Sequence, residues 1–546
     1  MDDLKEYVIT LKNYDDLNEF YEDMETPGGN LFIPARVVEV FKRRESSRNT
    51  HYLLSESEAE QIRQDPRVLS VELMPADLGL IVRPAVTQTE SDWDKSANNN
   101  SDHNNWGLLR VAEGEQRPNW GSDGTSTQTG TININSTGRN VDIVVVDGHI
   151  NPDHPEFAIN ADGSGGTRIV QYNWFQHTST VTGSANGTYV YTPYVDANNV
   201  NLTNDNDHGA HVAGIAAGNT QGWARSAKIY NINPYSTNTN SLGALYIFDY
   251  IRQFHASKPV NTATGKKNPT IVNNSWGYFY EIPIAQITTI VYRGATVAAN
   301  AAVTSATLTQ YGIPNNGTIT LVPARYYALD ADVEDAISDG IVVVGAAGNN
   351  SVKIDVSTGV DYNNYFTFNN GTATYAIYYH EGSSPGSAPG AICVGAISSL
   401  ANEQKASYSN CGPRVDIYAP GSYVMSSINS TNNGVAYPSN SGYRIQKYSG
   451  TSMASPQVAG VLACAMESYP YITQAKAMNY LIKNAKTNQI TDSAGGLADY
   501  SSLQGSSNRY LFYRRERPLT GTAWPKLNFL ERPTQGLMYP RVSAKI

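Results

Sequence analysis

The run Gly450-Thr451-Ser452-Met453-Ala454-Ser455-Pro456 sets a hydroxyl between a glycine turn and the apolar stretch Val458 to Ala463. A serine at the start of a buried helix meets backbone N–H groups and the positive end of the helix dipole, and both favour developing negative charge. Such a serine can attack a carbonyl carbon, provided that a base takes its proton. A candidate base stands upstream in Asp207-His208-Gly209-Ala210-His211-Val212-Ala213-Gly214, where a polar loop delivers His208 to a small-residue helix. Further upstream, Val141 to Val146 has the pattern of a buried strand and ends at Asp147. Asp147, His208 and Ser452 thus follow one another as acid, base and nucleophile, the set that acyl transfer requires. Each also fits a bland role alone: Asp147 as a strand-end turn, His208 and Ser452 as helix caps.

With these residues the chain resembles the subtilisin-like serine proteases, the subtilases, over roughly residues 105 to 485. Asp147 with Ile150 and His154-Pro155-Glu156-Phe157 resembles the family's aspartate motif. His208 through Gly214 resembles its histidine motif, and Gly450 through Pro456 its serine motif. Val342-Val343-Val344-Gly345-Ala346-Ala347-Gly348-Asn349 is similar to the strand and turn that carry the family's oxyanion asparagine. The resemblance implies that Asp147 orients His208, that His208 shuttles the proton, that Ser452 attacks and that Asn349 donates to the oxyanion. It also implies that Ser275-Trp276-Gly277 form a substrate-binding edge to which a peptide adds as a strand, with Ala347 and Gly348 facing it. Two departures stand out. Gly148 and His149 follow the aspartate where relatives have Ser or Thr and then Gly, and Gln457 replaces a common histidine.

The composition is that of a globular protein: 546 residues, 40% hydrophobic, with a formal charge of −10 that argues against a general nucleic-acid role. No apolar run approaches the length of a membrane span. Cys393, Cys411 and Cys464 are too few for a disulfide framework and lie in apolar segments, so buried free thiols are expected. No cofactor or metal is implied. A structural calcium is common among relatives, yet no dense ligand spacing marks one, and Asp205, Asn206 and Asp207 read as turn residues. The start, Met1-Asp2-Asp3-Leu4-Lys5-Glu6, lacks the basic and apolar regions of a secretory signal, so synthesis in the cytoplasm is expected, followed by particle association or release by another route.

Four regions are expected. In residues 1–76, strand patterns at 7–12, 35–41 and 68–72 alternate with helical spacing at 14–24 and with a helix opened by the capping box Ser55-Glu56-Ser57-Glu58. This α+β unit resembles the family's inhibitor-type propeptide, with a ferredoxin-like fold, so the chain's own N-terminal domain is an expected partner. Residues 77–105 read as a polar linker where a processing cut would fall. Residues 106–485 read as an α/β catalytic domain, a three-layer subtilisin-like fold around a parallel sheet, with an insertion at about 278–323 that suits a lid or a docking surface. Residues 486–546 read as an extension; from Tyr500 onward eight Lys or Arg face two Glu, which suits a basic arm packed on its own body or on a docking partner.

Together these features predict a self-processing serine endopeptidase that hydrolyses polypeptides through an acyl-enzyme. The alternative expectation is an assembly or virion component that retains the same domain, suggested by the missing signal, the basic arm and the insertion.

Overall fold

The computed structural model describes residues 4–33, 40–43, 47–75, 77–84, 88–90, 106–114, 136–160, 163–174, 176–178, 207–234, 244–400 and 402–514. The strands Asp142–Val146, Thr270–Asn274, Val342–Ala346 and Ile392–Ile397 are buried along their whole length. They can be so only if both faces of their sheet are covered. Ile143 and Val145 pack with helices His208–Ala217 and Thr451–Ser468, whereas Val144 and Val146 pack with helices Ile247–Ser257 and Tyr327–Ser338. The result is a three-layer α/β fold.

Among the described residues its sheet has nine strands, in the order Lys486–Thr487, Arg509–Tyr510, Ile417–Pro420, Ile392–Ile397, Val342–Ala346, Thr270–Asn274, Asp142–Val146, Lys228–Ile232, Ile169–Val170. All neighbours run parallel except the first two. Asp147, Ser275 and Ala347 each follow the last residue of a central strand, so the parallel arrangement gathers all three at one end of the sheet.

The N-terminal unit is a four-stranded antiparallel sheet in the order Val40–Arg43, Asn49–Leu54, Lys5–Leu11, Val68–Leu73. With helices Leu17–Glu25 and Glu56–Arg63 it has the βαββαβ order of a ferredoxin-like fold, and its own core includes Tyr7, Ile9, Phe20, Tyr52 and Ile62. Ser55 and Glu58 form the capping box reciprocally. Strand Asn49–Leu54 is an addition to the alternation expected from sequence. Its Asn49, Thr50 and His51 are fully buried polar residues, which hides the strand from a hydrophobic pattern. Of the expected strand at 35–41, residues 35–39 lie outside the described residues.

Three boundaries need correction. The stretch 77–105 is not linker throughout, because it contains strands Ile81–Pro84 and Gln88–Glu90; residues 91–105 lie outside the described residues. The catalytic body does not stop at 485. Arg509–Tyr510 joins the main sheet beside Tyr418, and Tyr510, Leu511 and Tyr513 are buried. The buried Arg110 guanidinium pairs with Glu403 and lies 4.0 Å from the Tyr510 ring centroid, tying helix Trp106–Glu113 to this late strand. The arm's remainder, 515–546, lies outside the described residues. Finally, the insertion is joined by a second, later segment beyond the central strand Val342–Ala346: strands Ile287–Tyr292 and Ala295–Ala299 pair into one sheet with Tyr365–Asn369 and Thr374–Tyr378, around Ile290, Phe366 and Tyr379. Cys393, Cys411 and Cys464 are buried free thiols.

Candidate active site

Asp147 leaves strand Asp142–Val146 with its backbone N–H donating to Ile232 O at 3.0 Å. Its Oδ1 accepts from Gly148 N at 2.7 Å and lies 2.7 Å from His208 Nδ1. Both side chains are buried, which strengthens the contact and orients the imidazole. The unusual Gly148-His149 turn is held by Asn231, whose Nδ2 donates to Val145 O, Asp147 O and Gly148 O at 3.2, 3.1 and 2.9 Å. His149 is half-buried, and its carbonyl accepts from Asn429 Nδ2 at 2.8 Å. Gly209 must be a glycine here, since a Cβ would sit 2.1 Å from Gly148 O. The departure from the usual motif is thus absorbed by side-chain amides and leaves the Asp147–His208 contact in place.

Ser452 is the second residue of helix Thr451–Ser468 and is fully buried. Its hydroxyl donates to Ser275 O at 3.1 Å. In return Ser275 Oγ donates to Ser452 O at 3.0 Å. Pro456 explains the second bond. In a regular helix the N–H of residue 456 would bond the carbonyl of 452, and proline has none. Ser275 supplies the missing donor, and is itself held by Asn273 Nδ2 at 3.0 Å, while Ser455 Oγ donates to Asn273 Oδ1 at 2.7 Å.

Asn349 follows a tight turn at Ala347 and Gly348. Its Oδ1 accepts from Thr451 N at 2.8 Å and Thr451 Oγ1 at 2.9 Å, which makes the amide nitrogen its donating end. Gly348 has φ +99°, and a Cβ there would meet Asn410 Nδ2 at 2.6 Å. Asn410 anchors the loop: Nδ2 donates to Ala347 O at 2.8 Å, and Oδ1 accepts from Asn350 N and Val352 N at 3.0 Å each.

Two strand edges flank Ser452. Trp276–Phe279 pairs antiparallel with Ile81–Pro84, in the register Trp276↔Pro84 to Phe279↔Ile81. Lys447–Ser449 pairs antiparallel with Gln88–Glu90. The Trp276 side chain is buried in the core, so the edge offers backbone rather than indole. Gly277 stays small because a Cβ would lie 2.3 Å from Ser383 Oγ.

The structure therefore brings Asp147 to His208, Ser452 to Ser275, and Asn349 to Thr451 beside Ser452. Asn231, Asn273, Asn410 and Ser455 were not foreseen. They are polar residues in apolar or loop segments; Asn273, Asn410 and Ser455 are fully buried and Asn231 half-buried, a signal that only packing supplies. The other histidines of the motifs are structural. His211 stacks on Tyr448 at 4.4 Å, its Nε2 2.8 Å from Gln446 O, and burial drives its pKa down to about 3. His154, likewise buried and lowered to about 4, caps the turn at Glu156. Gln457 accepts from Trp223 Nε1 at 2.6 Å. Asp207 Oδ1 accepts from Ser430 N at 2.7 Å, whereas Asp205 and Asn206 lie outside the described residues. Among the described residues no three His, Cys, Asp or Glu side chains are grouped to hold a metal ion.

Residues 138–506 match the model of the subtilase family. The chain belongs to that family. Among curated relatives, it is 24% identical to alkaline serine exoprotease A of Vibrio alginolyticus, over 81% of this chain and 56% of that protein. It is 34% identical to an extracellular protease of Xanthomonas campestris pv. campestris, over 28% of this chain and 20% of that protein. Among solved structures, this subtilase is similar to a cold-adapted subtilisin-like serine proteinase, with TM-score 0.44 and 20% identity over 75% of this chain and 98% of that one. The chain spans about half the length, or less, of the curated relatives it matches. One expectation is overturned here. A cytoplasmic origin followed by particle association does not agree with relatives that include a protein named as extracellular. Among the described residues no helix is long and apolar enough to cross a membrane.

Proposed function

We propose that this subtilase is a serine endopeptidase that hydrolyses polypeptides through an acyl-enzyme and processes its own chain. The observation that carries the reading is the buried Asp147–His208 contact of 2.7 Å, at the end of the sheet where Ser452 opens its helix. Asp147 accepts at Nδ1 of the imidazole, so Nε2 is the nitrogen that takes a proton. Ser452 Oγ gives that proton to His208 as it bonds the carbonyl carbon of the substrate. The tetrahedral oxyanion is then met by the Asn349 amide nitrogen and the N-terminus of helix Thr451–Ser468. Collapse breaks the C–N bond, and His208 delivers its proton to the leaving amine. Water then enters by the same route: His208 takes one proton, hydroxide attacks the ester, and Ser452 leaves with its hydroxyl restored.

Substrate binds as an added strand on Trp276–Phe279, as Ile81–Pro84 does. The N-terminal domain is the inhibitor that delivers this strand. It docks through Arg48, whose guanidinium meets Asp335 at 3.0 Å and Glu334 at 3.1 Å, and through Glu72, which accepts from Ala328 N at 3.1 Å. None of the relatives above is named as a particle component, and no observation favours a purely structural role. A fluorophosphonate probe should label the processed protein at Ser452 and leave Ser452→Ala unlabelled. Labelling elsewhere, or none, overturns the nucleophile.

A further inference from the structure

The two strand edges beside Ser452 receive different halves of an added chain. Ile81–Pro84 lies on the first, along Trp276–Phe279; Gln88–Glu90 follows it in sequence and lies on the second, along Lys447–Ser449. Both pairings are antiparallel, so a polypeptide that starts along the first edge in this direction runs past Ser452 to the second. The second edge therefore holds the amine side of a substrate, the half that leaves when the acyl-enzyme forms. It is a short edge. Strand Asn440–Ser449 is covered on one side by Val424–Ile428, opposite Arg444 to Tyr448. On its other side Val435–Tyr437 takes Asn440, Arg444 and Ile445, which leaves Lys447, Tyr448 and Ser449 to Gln88–Glu90 before the Ser452 helix begins.

Two of these three side chains are engaged within the catalytic body. Tyr448 stacks on His211 at 4.4 Å, and Tyr423 N donates to Ser449 Oγ at 3.0 Å. Lys447 is different. It is the charged residue of the window, yet it is only 5% exposed. Alternation along the strand sets it on the face of Ile445 and of its register partner Met425, both buried in one apolar cluster. A lysine is rarely buried so far without a carboxylate, because the ammonium loses its water. The residue opposite Lys447 on the added strand is Glu90. Opposite charges in register across two strands attract, and like charges repel. We infer that Lys447 determines specificity on the leaving side of the site, selecting polypeptides with Asp or Glu at the one position that falls opposite it. The inference rests on the reading of Ser452 as nucleophile and gives that enzyme a substrate class: chains with an acidic residue a few positions beyond the bond to be cut. Gln88–Glu90 is the chain's own example of such a sequence. Lys447 stands away from the reacting atoms, so it acts through binding and should move KM more than kcat.

A positional scan of peptides tests this. A host peptide that the processed protein cuts carries Glu, Gln or Lys at each position in turn beyond its scissile bond, and kcat and KM are measured separately. At one position the order of preference should be Glu, then Gln, then Lys, with about a tenfold span in kcat/KM carried mainly by KM. The other positions should stay within about twofold. Lys447→Glu should reverse the order at that position alone. Lys447→Met, which keeps an apolar stem against Met425 and Ile445, should flatten it. A wild-type scan without such a position, or a preference that survives unchanged in both variants, overturns the inference while fluorophosphonate labelling of Ser452 still upholds the nucleophile. Peptide cleavage by Ser452→Ala at the wild-type rate overturns the nucleophile, and the inference falls with it.

Discussion

The N-terminal sheet and the catalytic sheet solve opposite problems with the same chain. In the catalytic sheet the central strands are apolar on both faces, and their polar residues come at the ends, where Asp147, Ser275 and Asn349 collect. In the N-terminal sheet, Asn49, Thr50 and His51 are buried in the first half of strand Asn49–Leu54, and several partners of that surface belong to the other body. Asn49 Nδ2 donates to Ala328 O at 2.9 Å, Ser47 Oγ to Asp332 Oδ1 at 2.6 Å, and His51 stacks on Tyr246 at 5.8 Å. One sheet gathers the residues of the proposed chemistry at its end; the other is completed by what it covers. Buried polar groups cost free energy unless paired, so this face is specific for helix Tyr327–Ser338. The lesson is a division of labour: changes in the catalytic body should move turnover, and changes in the docking face should move inhibition.

The largest expected effect tests the chemical side. Ser452→Ala should lower peptidase kcat by about 10⁴-fold or more, because nucleophile and base act as a unit, with the fold kept. Turnover near that of the wild type would break the comparison at its root. Next, Asn349→Ala should reduce kcat by about 10²–10³-fold with KM little changed, since the lost bond matures in the transition state. A change confined to KM would move Asn349 from oxyanion donor to substrate positioning.

Ser275→Ala is expected to act more mildly and on both links. It removes the donor that replaces the missing Pro456 N–H, at about 1–2 kcal/mol of stability by thermal melting. It should also lower kcat about tenfold at unchanged pH profile, because the start of the Ser452 helix loosens. An unchanged melting temperature would mean that water takes over the bond.

The smallest effect concerns docking. Burial between the two bodies pushes the Glu72 pKa from 4.5 up to about 7. Docked Glu72 thus keeps its proton where the released domain would lose it. Docking should be strongest below about 4.5 and weaken as pH rises through about 7, the direction required for a raised carboxyl pKa. Glu72→Gln should flatten this dependence without changing kcat. Co-elution of the cut N-terminal fragment with the enzyme, followed from pH 4.5 to 8, measures it, and an unchanged slope in the variant would assign the pH response to another group.

Much of this was legible without coordinates, for a physical reason. Local patterns leave local traces: the continuous apolar run before Asp147, the small-residue helix after His208 and the glycine turn before Ser452 each mark a strand end or a helix start. The capping box at Ser55 and the buried state of the three cysteines were readable in the same way. What escaped was whatever depends on a partner distant in sequence. Strand Asn49–Leu54 opens on three polar residues in place of an apolar pattern, and its Asn49 is satisfied by Ala328 O and Asp332 of helix Tyr327–Ser338. Tyr510 to Tyr513 reads as an arm packed on the body or on a partner, and only the structure places it as a strand on the sheet edge at Tyr418, against the Arg110 guanidinium. Ile81–Pro84 and Gln88–Glu90 are too short to declare themselves as strands, and exist because Trp276–Phe279 and Lys447–Ser449 offer unpaired backbone. By itself the sequence determined which residue types stand at strand ends and helix starts. Only the tertiary structure decided which backbone groups and buried amides meet them, because a hydrogen bond between residues hundreds of positions apart leaves no periodicity in the chain.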